Sequence, residues 1–250
     1  MHPGIIAGVF DHVTIRVSDG AASVRFYDTV LATLGITRTA PDESYVEWDD
    51  FSLSPADAEH PVTRRLHIGF AAPSRDSVDA FWRAGVDAGY ESDGEPGLRP
   101  QYSEDYYGSF LLDPDGNSVE AVHHGSMRAG GKIDHLWIRV SDVDASTRFY
   151  ETVGPAAGFR VGRELGERTM FACVSGSFSV VAGEEATEHL HVAFAASDNE
   201  TVDRFHRDAT AAGYRDNGPP GERPIYHAGY YGAYVLDPDG NNVEVVNHNR

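Results

Sequence analysis

Two histidines and one glutamate recur at matching places in the two halves of the sequence. They are His12, His67 and Glu120 in the first half, and His135, His191 and Glu244 in the second. Two imidazoles and one carboxylate on one side of an ion form a facial triad, which suits Fe(II) or Mn(II) and leaves positions open for water, oxygen or a chelating substrate. A single histidine on a strand is more often structural, but recurrence of all three residues favours metal ligands.

An internal repeat fixes these correspondences. Residues 10 to 30 match residues 133 to 153 at 14 of 21 positions, and residues 106 to 122 match residues 230 to 246 at 12 of 17 positions. The sequence therefore predicts two duplicated domains, residues 1–125 and 132–250, joined by a linker at 126–131.

Strands and helices alternate twice within each half. Residues 10 to 17 alternate with period 2, so His12 lies on the face opposite the apolar side chains. Residues 20 to 34 have helical spacing and end at Gly35, which predicts an amphipathic helix. Short strands are predicted at 36 to 40, 44 to 49 and 51 to 54.

The second cycle begins with a predicted strand from Arg65 to Ala71 and a helix from Ser74 to Ala88. In the second half, Ser197 and Glu200 predict a capping box at the start of the corresponding helix. The order of strand, helix and strands, taken twice per half, predicts an α+β fold.

Two copies of Asp-Pro-Asp-Gly-Asn, at 113–117 and 237–241, predict hairpin turns, because proline favours the second turn position and glycine supplies positive φ. Glu120 and Glu244 each follow such a turn in a valine-flanked strand. An unpaired carboxylate is costly to bury there, so each glutamate is expected to need a cation.

Composition excludes several classes of partner. The formal charge of −19 disfavours nucleic acid and anionic membrane surfaces, which need a basic face. No apolar run approaches the roughly 18 residues of a membrane span. The start lacks the pattern of a secretory signal, and Cys173 as the single cysteine excludes an internal disulfide framework. A cytoplasmic protein acting on a small molecule is expected.

The sequence resembles the vicinal oxygen chelate superfamily, which includes glyoxalase I, fosfomycin and bleomycin resistance proteins, and extradiol dioxygenases. The resemblance rests on the first-strand histidine, the R-F-Y helix, the L-H-[IV]-x-F-A-A strand and the D-P-D-G-N-x-V-E ending of each half. It implies two tandem glyoxalase-like domains, made of four βαβββ modules whose curled mixed sheets enclose metal clefts. Modules in this superfamily pair within chains and across dimers, so a homodimer and ligand sets drawn from either or both halves stay open.

The resemblance also implies that the six recurring residues are the metal ligands. The fourth ligand of glyoxalase I, a glutamate, would fall near Ser52 and Ser179, and neither is a carboxylate. This departure favours an extradiol-dioxygenase-like reaction, with a glyoxalase-type lyase or isomerase and a fosfomycin-type transferase as alternatives. Fe(II) or Mn(II) is the favoured ion, with Ni(II) and Zn(II) as alternatives.

The loop before each final hairpin supplies candidate catalytic groups. His227 could move a proton near neutral pH, and Tyr226 and Tyr102 could hydrogen-bond a substrate oxyanion. Ser103 stands where the second half has His227. If one centre alone is active, the second half is therefore preferred.

A protein that binds a drug or metabolite without chemistry, as bleomycin-resistance relatives do, is the alternative from a different class. The strong negative charge would suit a cationic ligand. Such proteins generally lack the metal set, so the two His/His/Glu sets favour the enzyme.

Overall fold

The computed structural model describes residues 10–39, 46–125, 132–173 and 176–250. In the first half, the elements are β1 (His12–Val17), α1 (Gly20–Leu31), β2 (Val46–Trp48), β3 (Phe51–Pro55), β4 (His67–Ala71), α2 (Arg75–Asp87), β5 (Ser92–Leu98), β6 (Tyr107–Leu112) and β7 (Ser118–His123). The predicted linker, 126–131, lies outside the described residues.

The second half repeats this order. Its elements are β8 (Ile133–Val140), α3 (Val143–Ala157), β9 (Arg160–Glu164), β10 (Arg168–Cys173), β11 (Gly176–Ala182), β12 (His191–Ala195), α4 (Asn199–Ala211), β13 (Asp216–Glu222), β14 (Tyr231–Leu236) and β15 (Asn242–Asn247). The predicted α+β class and the tandem strand-helix-strand modules are confirmed. Among the described residues, no helix is both long and apolar enough to cross a membrane.

Two mixed sheets contain these strands. One sheet has seven strands in the order β13-β14-β15-β12-β1-β3-β2, and the other has eight in the order β5-β6-β7-β4-β8-β11-β10-β9. The first strand of each half thus lies beside a strand of the other half: β1 beside β12, and β8 beside β4. This pairing decides which ligand candidates meet.

By residue contacts the chain divides into two compact units. One is Thr14–Trp137, and the other is Ile138–Arg250 together with Met1–Val13. The division falls inside β1 and β8 rather than at the predicted linker. His12 therefore belongs to the unit that contains most of the second half, and His135 to the unit that contains most of the first.

Local sequence explains where the helices begin and end. Helix α1 is capped by the Asp19 side chain and is followed by a short 3₁₀ turn that ends at Gly35, whose φ of 73° is the left-handed region that glycine adopts without strain. Helix α2 begins one residue later than predicted, at Arg75, and is capped by the Ser74 side chain. The capping box predicted for α4 is wrong: the cap is Asp198, whose carboxylate accepts from the Thr201 amide, and Ser197 bonds Asp198 instead.

Some strands differ from the predictions. Residues 36 to 39 form no strand, and residue 40 lies outside the described part. β5 and β13 were not predicted, because their sequences, SDGEPGL and DNGPPGE, contain the glycines and prolines that normally interrupt strands. Both lie at the edge of a sheet, where proline costs no ladder hydrogen bond.

The predicted hairpin turns are present and anchored. The Asp113 carboxylate accepts from the backbone N–H groups of Asp115 and Asn117, and Gly116 has a φ of 83°. The buried Tyr27 hydroxyl of α1 donates to the same carboxylate at 3.0 Å. The turn that precedes the glutamate strand is thus tied to the helix that follows the first histidine strand.

Candidate metal centres

The first group of ligand candidates comprises His67, Glu120 and His135, and we call it the His67 centre. Nε2 of His67 lies 3.1 Å from Oε2 of Glu120 and 3.2 Å from Nε2 of His135, and the third side of the triangle is 3.2 Å. All three residues are buried. Three donor atoms therefore converge on one point within the unit Thr14–Trp137.

The second group comprises His12, His191 and Glu244, and we call it the His191 centre. Nε2 of His12 lies 3.1 Å from Nε2 of His191, and Oε2 of Glu244 lies 3.1 Å from His191 and 3.6 Å from His12. Glu244 is buried, whereas the two histidines are half-buried. This triangle is slightly more open than the first.

The grouping differs from the half-by-half sets suggested by the sequence repeat. His135 joins the glutamate of the first half, and His12 joins the glutamate of the second. The sheet register is the cause, since on β4 Gly69 pairs with Glu120 of the parallel strand β7 and with His135 of the antiparallel strand β8.

The donor set fits a metal ion. An octahedral ion with ligand distances of about 2.1 Å holds adjacent donors about 3.0 Å apart, and a tetrahedral ion about 3.4 Å. The observed triangle of 3.1–3.2 Å at the His67 centre is close to the octahedral value. Three lone-pair atoms this close repel one another unless a metal ion or a proton lies between them. Among the described residues, each group holds three ligand-type side chains, so further coordination positions stay open.

A tyrosine orients each glutamate. The hydroxyl of Tyr106 donates to Oε1 of Glu120 at 2.8 Å, and that of Tyr230 donates to Oε1 of Glu244 at 2.7 Å. Burial and the nearby carboxylate raise the pKa of both tyrosines, so both stay protonated donors. With Oε1 held in this way, Oε2 faces the imidazoles.

Glycines make room for the ligand candidates. A side chain at Gly232 would meet Oε1 of Glu244 at 2.7 Å, and one at Gly108 would clash with Oε1 of Glu120. A side chain at Gly69 would clash with the ring of His135. The two Tyr-Tyr-Gly segments therefore supply both the hydrogen bond and the space that each glutamate needs.

Carboxylates fix the tautomer of the first-strand histidines. Nδ1 of His135 bonds Oδ1 of Asp134 at 2.9 Å, and Nδ1 of His12 bonds Oδ1 of Asp11 at 2.8 Å. A proton on Nδ1 leaves the Nε2 lone pair free for an ion, and the carboxylate makes that nitrogen a stronger ligand. Asp134 and Asp11 each immediately precede a ligand candidate.

The partners of the other two histidines differ between the centres. Nδ1 of His67 lies 3.1 Å from the Ser118 hydroxyl, which donates to Asp93 at 2.6 Å and so accepts from the imidazole. At the His191 centre, Nδ2 of Asn242 lies 2.6 Å from Nδ1 of His191. Metal binding through Nε2 of His191 puts the proton on Nδ1, so the Asn242 amide must then turn to present its oxygen.

Without metal, the His67 centre behaves as an ion pair. Burial alone would raise the pKa of Glu120, but hydrogen bonds from His135 and His67 outweigh it and lower the pKa from 4.5 to about 2. Burial would likewise lower the pKa of His135, but the carboxylates of Asp134 and Glu120 raise it from 6.5 to about 9.

We therefore expect the metal-free protein to lose stability in alkali. The raised pKa of His135 contributes stability that is complete below pH 6.5 and is lost as the pH rises through about 9. The loss should reach up to about 3 kcal/mol, since one pKa unit corresponds to about 1.4 kcal/mol. Urea unfolding in chelator at several pH values measures it, and His135→Gln should flatten the decline. An equal decline in both proteins would contradict this explanation.

The tyrosine that orients Glu244 should matter for metal affinity. We expect Tyr230→Phe to weaken binding at the His191 centre by about 10-fold, because an outer-shell partner of a ligand typically contributes 10-fold to 100-fold. Isothermal titration with Mn(II) in a His67→Ala background measures it. Tyr226→Phe is the matched control, since Tyr226 contacts the Tyr230 ring and is 62% exposed. Equal affinities in wild type and Tyr230→Phe would refute the orienting role.

Aromatic side chains distinguish the surroundings of the two centres. At the His67 centre, the Trp137 ring lies 5.6 Å from the His67 ring and 5.5 Å from that of Tyr102. Thr14 is the residue at the matching position of β1. The side chains of His12 and His191 are each 20% exposed, against 10% and 11% for His135 and His67. The His191 centre is thus the more accessible to a substrate.

The residues opposite the glutamates also differ. Phe110 pairs with Glu120 across β6 and β7, and Tyr234 pairs with Glu244 across β14 and β15. Burial together with the nearby Glu244 carboxylate raises the pKa of Tyr234. The His191 centre thus has a protonated phenol where the His67 centre has an apolar ring.

The predicted catalytic residues lie around the ligands rather than among them. The rings of Tyr102 and Tyr226 pack at a tilt against those of Tyr106 and Tyr230, with centroids 5.0 and 4.8 Å apart. His227 is bonded through Nδ1 to the carbonyl of its neighbour Ala228 and through Nε2 to a second histidine. Their catalytic roles stay predictions.

Sequence reasoning missed the residues that hydrogen-bond the ligand candidates, which are Asp11, Asp134, Ser118, Tyr106 and Tyr230. It also missed Tyr234, which pairs with Glu244 across the strands. A signal was present for some of them. Asp-His and Tyr-Tyr-Gly recur in both halves inside the repeated blocks, so Asp11, Asp134, Tyr106 and Tyr230 could have been proposed as partners. Tyr234 could be found only from its cross-strand pairing with Glu244.

Three solved structures illustrate what the fold resembles. Glyoxalase I from Zea mays is 19% identical, with a TM-score of 0.67 over 96% of this chain and 92% of that chain. A putative dioxygenase from Bacillus subtilis is 13% identical, with a TM-score of 0.67 over 96% and 85%. An Mn(II)-bound glyoxalase from Novosphingobium aromaticivorans is 22% identical, with a TM-score of 0.42 over 96% and 82%. At these identities the first two likenesses show the fold alone.

A search of curated proteins finds no match. The family model described as the Glyoxalase/Bleomycin resistance protein/Dioxygenase superfamily matches the chain twice, over residues 9–121 and 132–245. These two matches cover most of the chain and correspond to the two halves of the repeat. The chain therefore belongs to the glyoxalase, bleomycin resistance protein and dioxygenase superfamily.

Proposed function

We propose that this chain is a divalent-metal enzyme that chelates two adjacent oxygens of a small organic substrate, and that the His191 centre cleaves catechol-type rings in the extradiol manner. The convergence of two imidazoles and one carboxylate, with three ligand-type residues in each group, carries the proposal. Fe(II) is the expected ion for this reaction, although the same donors accept Mn(II), Ni(II) or Zn(II).

The His191 centre is the proposed reaction site because it is more exposed and has a polar second layer. His12, His191 and Glu244 would hold the ion, which would supply a Lewis acid and a meeting point for substrate and dioxygen. The Tyr234 phenol, protonated because burial and Glu244 raise its pKa, can donate a hydrogen bond to a substrate oxyanion. The Arg223 guanidinium lies 5.5 Å from the Tyr234 ring and adds positive charge on this side.

The reaction balances without an external reductant. The C–C bond next to the two hydroxyl-bearing carbons breaks, and both atoms of dioxygen enter the ring-opened product. Bound catechol must first lose a proton, and a protonated phenol such as Tyr234 stabilises the resulting oxyanion rather than accepting the proton. His227, on the neighbouring loop, is the proposed acid-base group.

Aerobic turnover tests this proposal. With Fe(II)-loaded protein we expect simple catechols to yield a coloured ring-opened product with matching consumption of dioxygen. No product with any catechol tried, at full iron occupancy, would contradict ring cleavage. Success on a hemithioacetal instead would assign the isomerase reaction, and transfer of a thiol to an epoxide would assign the resistance-type transferase.

Neither described group contains a second carboxylate that could serve as a fourth ligand, and this is the reason to place the isomerase second. A glyoxalase-type isomerase must move a proton between carbons, and an additional ligand carboxylate is a suitable base. Ser52, which stands at the expected position, bonds the hydroxyl of Thr14 at 2.7 Å.

A non-catalytic binding protein predicts a different result. Its ligand affinity would survive chelator treatment and His191→Ala, because the metal would play no part. We expect instead that catechol binding is lost with the ion. The proposed setting is the cytoplasm, which fits a chain with a single cysteine.

A further inference from the structure

A chain of hydrogen bonds runs from the loop before β14 to a ligand of the His191 centre. Nε2 of His227 lies 2.8 Å from Nδ1 of His248, and Nε2 of His248 lies 2.8 Å from Oδ2 of Asp11. The other oxygen of Asp11 bonds Nδ1 of His12, also at 2.8 Å. The imidazoles of His227 and His248, which are not ligand candidates, are thus linked through Asp11 to the imidazole of His12, which is one.

The hydrogen bonds determine how many protons the His227–His248 pair carries, and therefore its net charge. Nδ1 of His227 bonds the Ala228 carbonyl at 2.8 Å, and a carbonyl can only accept, so this nitrogen carries a proton. Asp11 bonds one imidazole at each of its carboxylate oxygens, so as a carboxylate it accepts from both, and Nε2 of His248 also carries a proton. The bond between the imidazoles needs a third proton. Three protons on four nitrogens make the pair a monocation.

The surroundings favour such a charge. The Asp11 carboxylate faces His248 from the segment before β1, and the Tyr230 ring lies 5.3 Å from both imidazoles, edge-on. The two imidazole rings are nearly parallel, at 20° with centroids 5.1 Å apart, as an edge-to-edge bond between ring nitrogens requires. A second added proton would place like charges within 2.8 Å of one another and break the bond between the rings, so this hydrogen-bonded arrangement holds one positive charge.

We propose that His227 and His248 share one proton and, through Asp11, set how strongly His12 binds the ion of the His191 centre. Toward the ion both are positioning residues, whereas the acid-base role proposed for His227 concerns the substrate. This inference rests on the proposed metal function of that centre. A positive charge on the pair attracts the electrons of the Asp11 carboxylate, so Asp11 becomes a weaker acceptor for Nδ1 of His12 and His12 becomes a weaker metal ligand. The same charge also repels a cation at the His191 centre. Metal binding and protonation of the pair therefore oppose each other, and binding should expel the shared proton.

The His67 centre has only half of this arrangement. His124 bonds Oδ2 of Asp134 at 3.1 Å, as His248 bonds Asp11. Ser103 takes the place of His227, and its hydroxyl bonds Asp105. The shared proton is thus specific to the His191 centre, and the His67 centre is its natural control.

The shared proton can be tested on metal-free protein. We expect ¹⁵N imidazole spectra recorded against pH to show the nitrogens of His227 and His248 shifting together, with one midpoint and uptake of one proton. His227→Ser, which copies the first half, should move the midpoint of His248, and His124 should not change. Separate midpoints for His227 and His248, each unaffected by replacement of the other, would overturn the shared proton.

The link to metal needs a second measurement. Isothermal titrations with Zn(II) are carried out on the His67→Ala variant in buffers that differ in their heat of ionisation. At a pH where the His227–His248 pair is charged, the dependence of the heat on the buffer gives the number of protons released on metal binding. We expect about one proton fewer, and roughly 5-fold to 20-fold tighter binding, when His248→Asn is added. Asparagine still donates to Asp11 but holds no proton, and His124→Asn is the matched control. Equal proton release would overturn the link.

Failure of the proposed function would look different from failure of this inference. If the His67→Ala background binds no Zn(II), the metal function of the His191 centre fails and the link to metal fails with it. The imidazole spectra still decide whether the pair shares a proton, because they need no ion.

Discussion

The double variant His67→Ala/His135→Ala should retain about one metal ion per chain, whereas His12→Ala/His67→Ala should retain none. Both variants lose two imidazoles, so they are matched in the number of ligands removed. They differ because His67 and His135 belong to one centre, while His12 and His67 belong to two. Metal analysis after equilibration with Mn(II) and desalting measures the result.

The reverse outcome would restore the half-by-half ligand sets. If ligands were grouped within each half, His12→Ala/His67→Ala would keep one ion and His67→Ala/His135→Ala would lose both. Circular dichroism and thermal melting provide the control for folding, since each alanine replaces a side chain that lies at least partly buried beside a glutamate. Equal retention by the two variants would contradict both groupings.

Glu244→Gln should abolish turnover, with a loss of at least about 10³-fold, whereas Glu120→Gln should cost about 10-fold or less. Both substitutions replace an anionic ligand by a neutral amide of the same shape. The difference follows from the accessible His191 centre, with the Tyr234 hydroxyl beside Glu244, and from the Trp137 ring beside the His67 centre. Initial rates with a saturating catechol and Fe(II) give the comparison.

Metal content must be measured alongside these rates. Glu120→Gln should lose the ion of the His67 centre, while its turnover falls by no more than about 10-fold. A loss as large as that of Glu244→Gln would mean that both centres are needed. The opposite order of losses would move the chemistry to the His67 centre.

The six ligand candidates were predictable because both halves contain the same His-His-Glu set. The first histidine and the glutamate of each half lie inside the matched blocks, and His67 and His191 lie between them. Their grouping was not predictable. It depends on β8 pairing with β4 and on β1 pairing with β12, and such long-range register is not encoded in local periodicity. His12 and His191 are 179 positions apart yet 3.1 Å from each other.

The strands at the sheet edges were missed for a different reason. β5 and β13 are held by their neighbours β6 and β14, so tertiary pairing overrides the weak strand preference of glycine and proline. The cap of α4 was misplaced by one residue, since Ser197 and Asp198 are both good caps and the sequence does not choose between them. The hairpin turns were predicted correctly because Asp, Pro and Gly each have a defined role there.

Duplication has left two centres with the same ligands and different surroundings. Trp137 and Phe110 adjoin the His67 centre, while Tyr234 and the His227–His248 pair adjoin the His191 centre. Ligand residues alone would not separate the two. The chemistry of the next layer of residues is what favours the His191 centre as the reaction site.

Anomalous diffraction from a crystal of the Mn(II)-loaded protein, recorded near the manganese edge, tests the central claim most directly. We expect one peak within coordination distance of Nε2 of His67, Nε2 of His135 and Oε2 of Glu120, and a second between His12, His191 and Glu244. Peaks elsewhere, or no peak at saturating Mn(II), would contradict the assignment of these side chains as metal ligands.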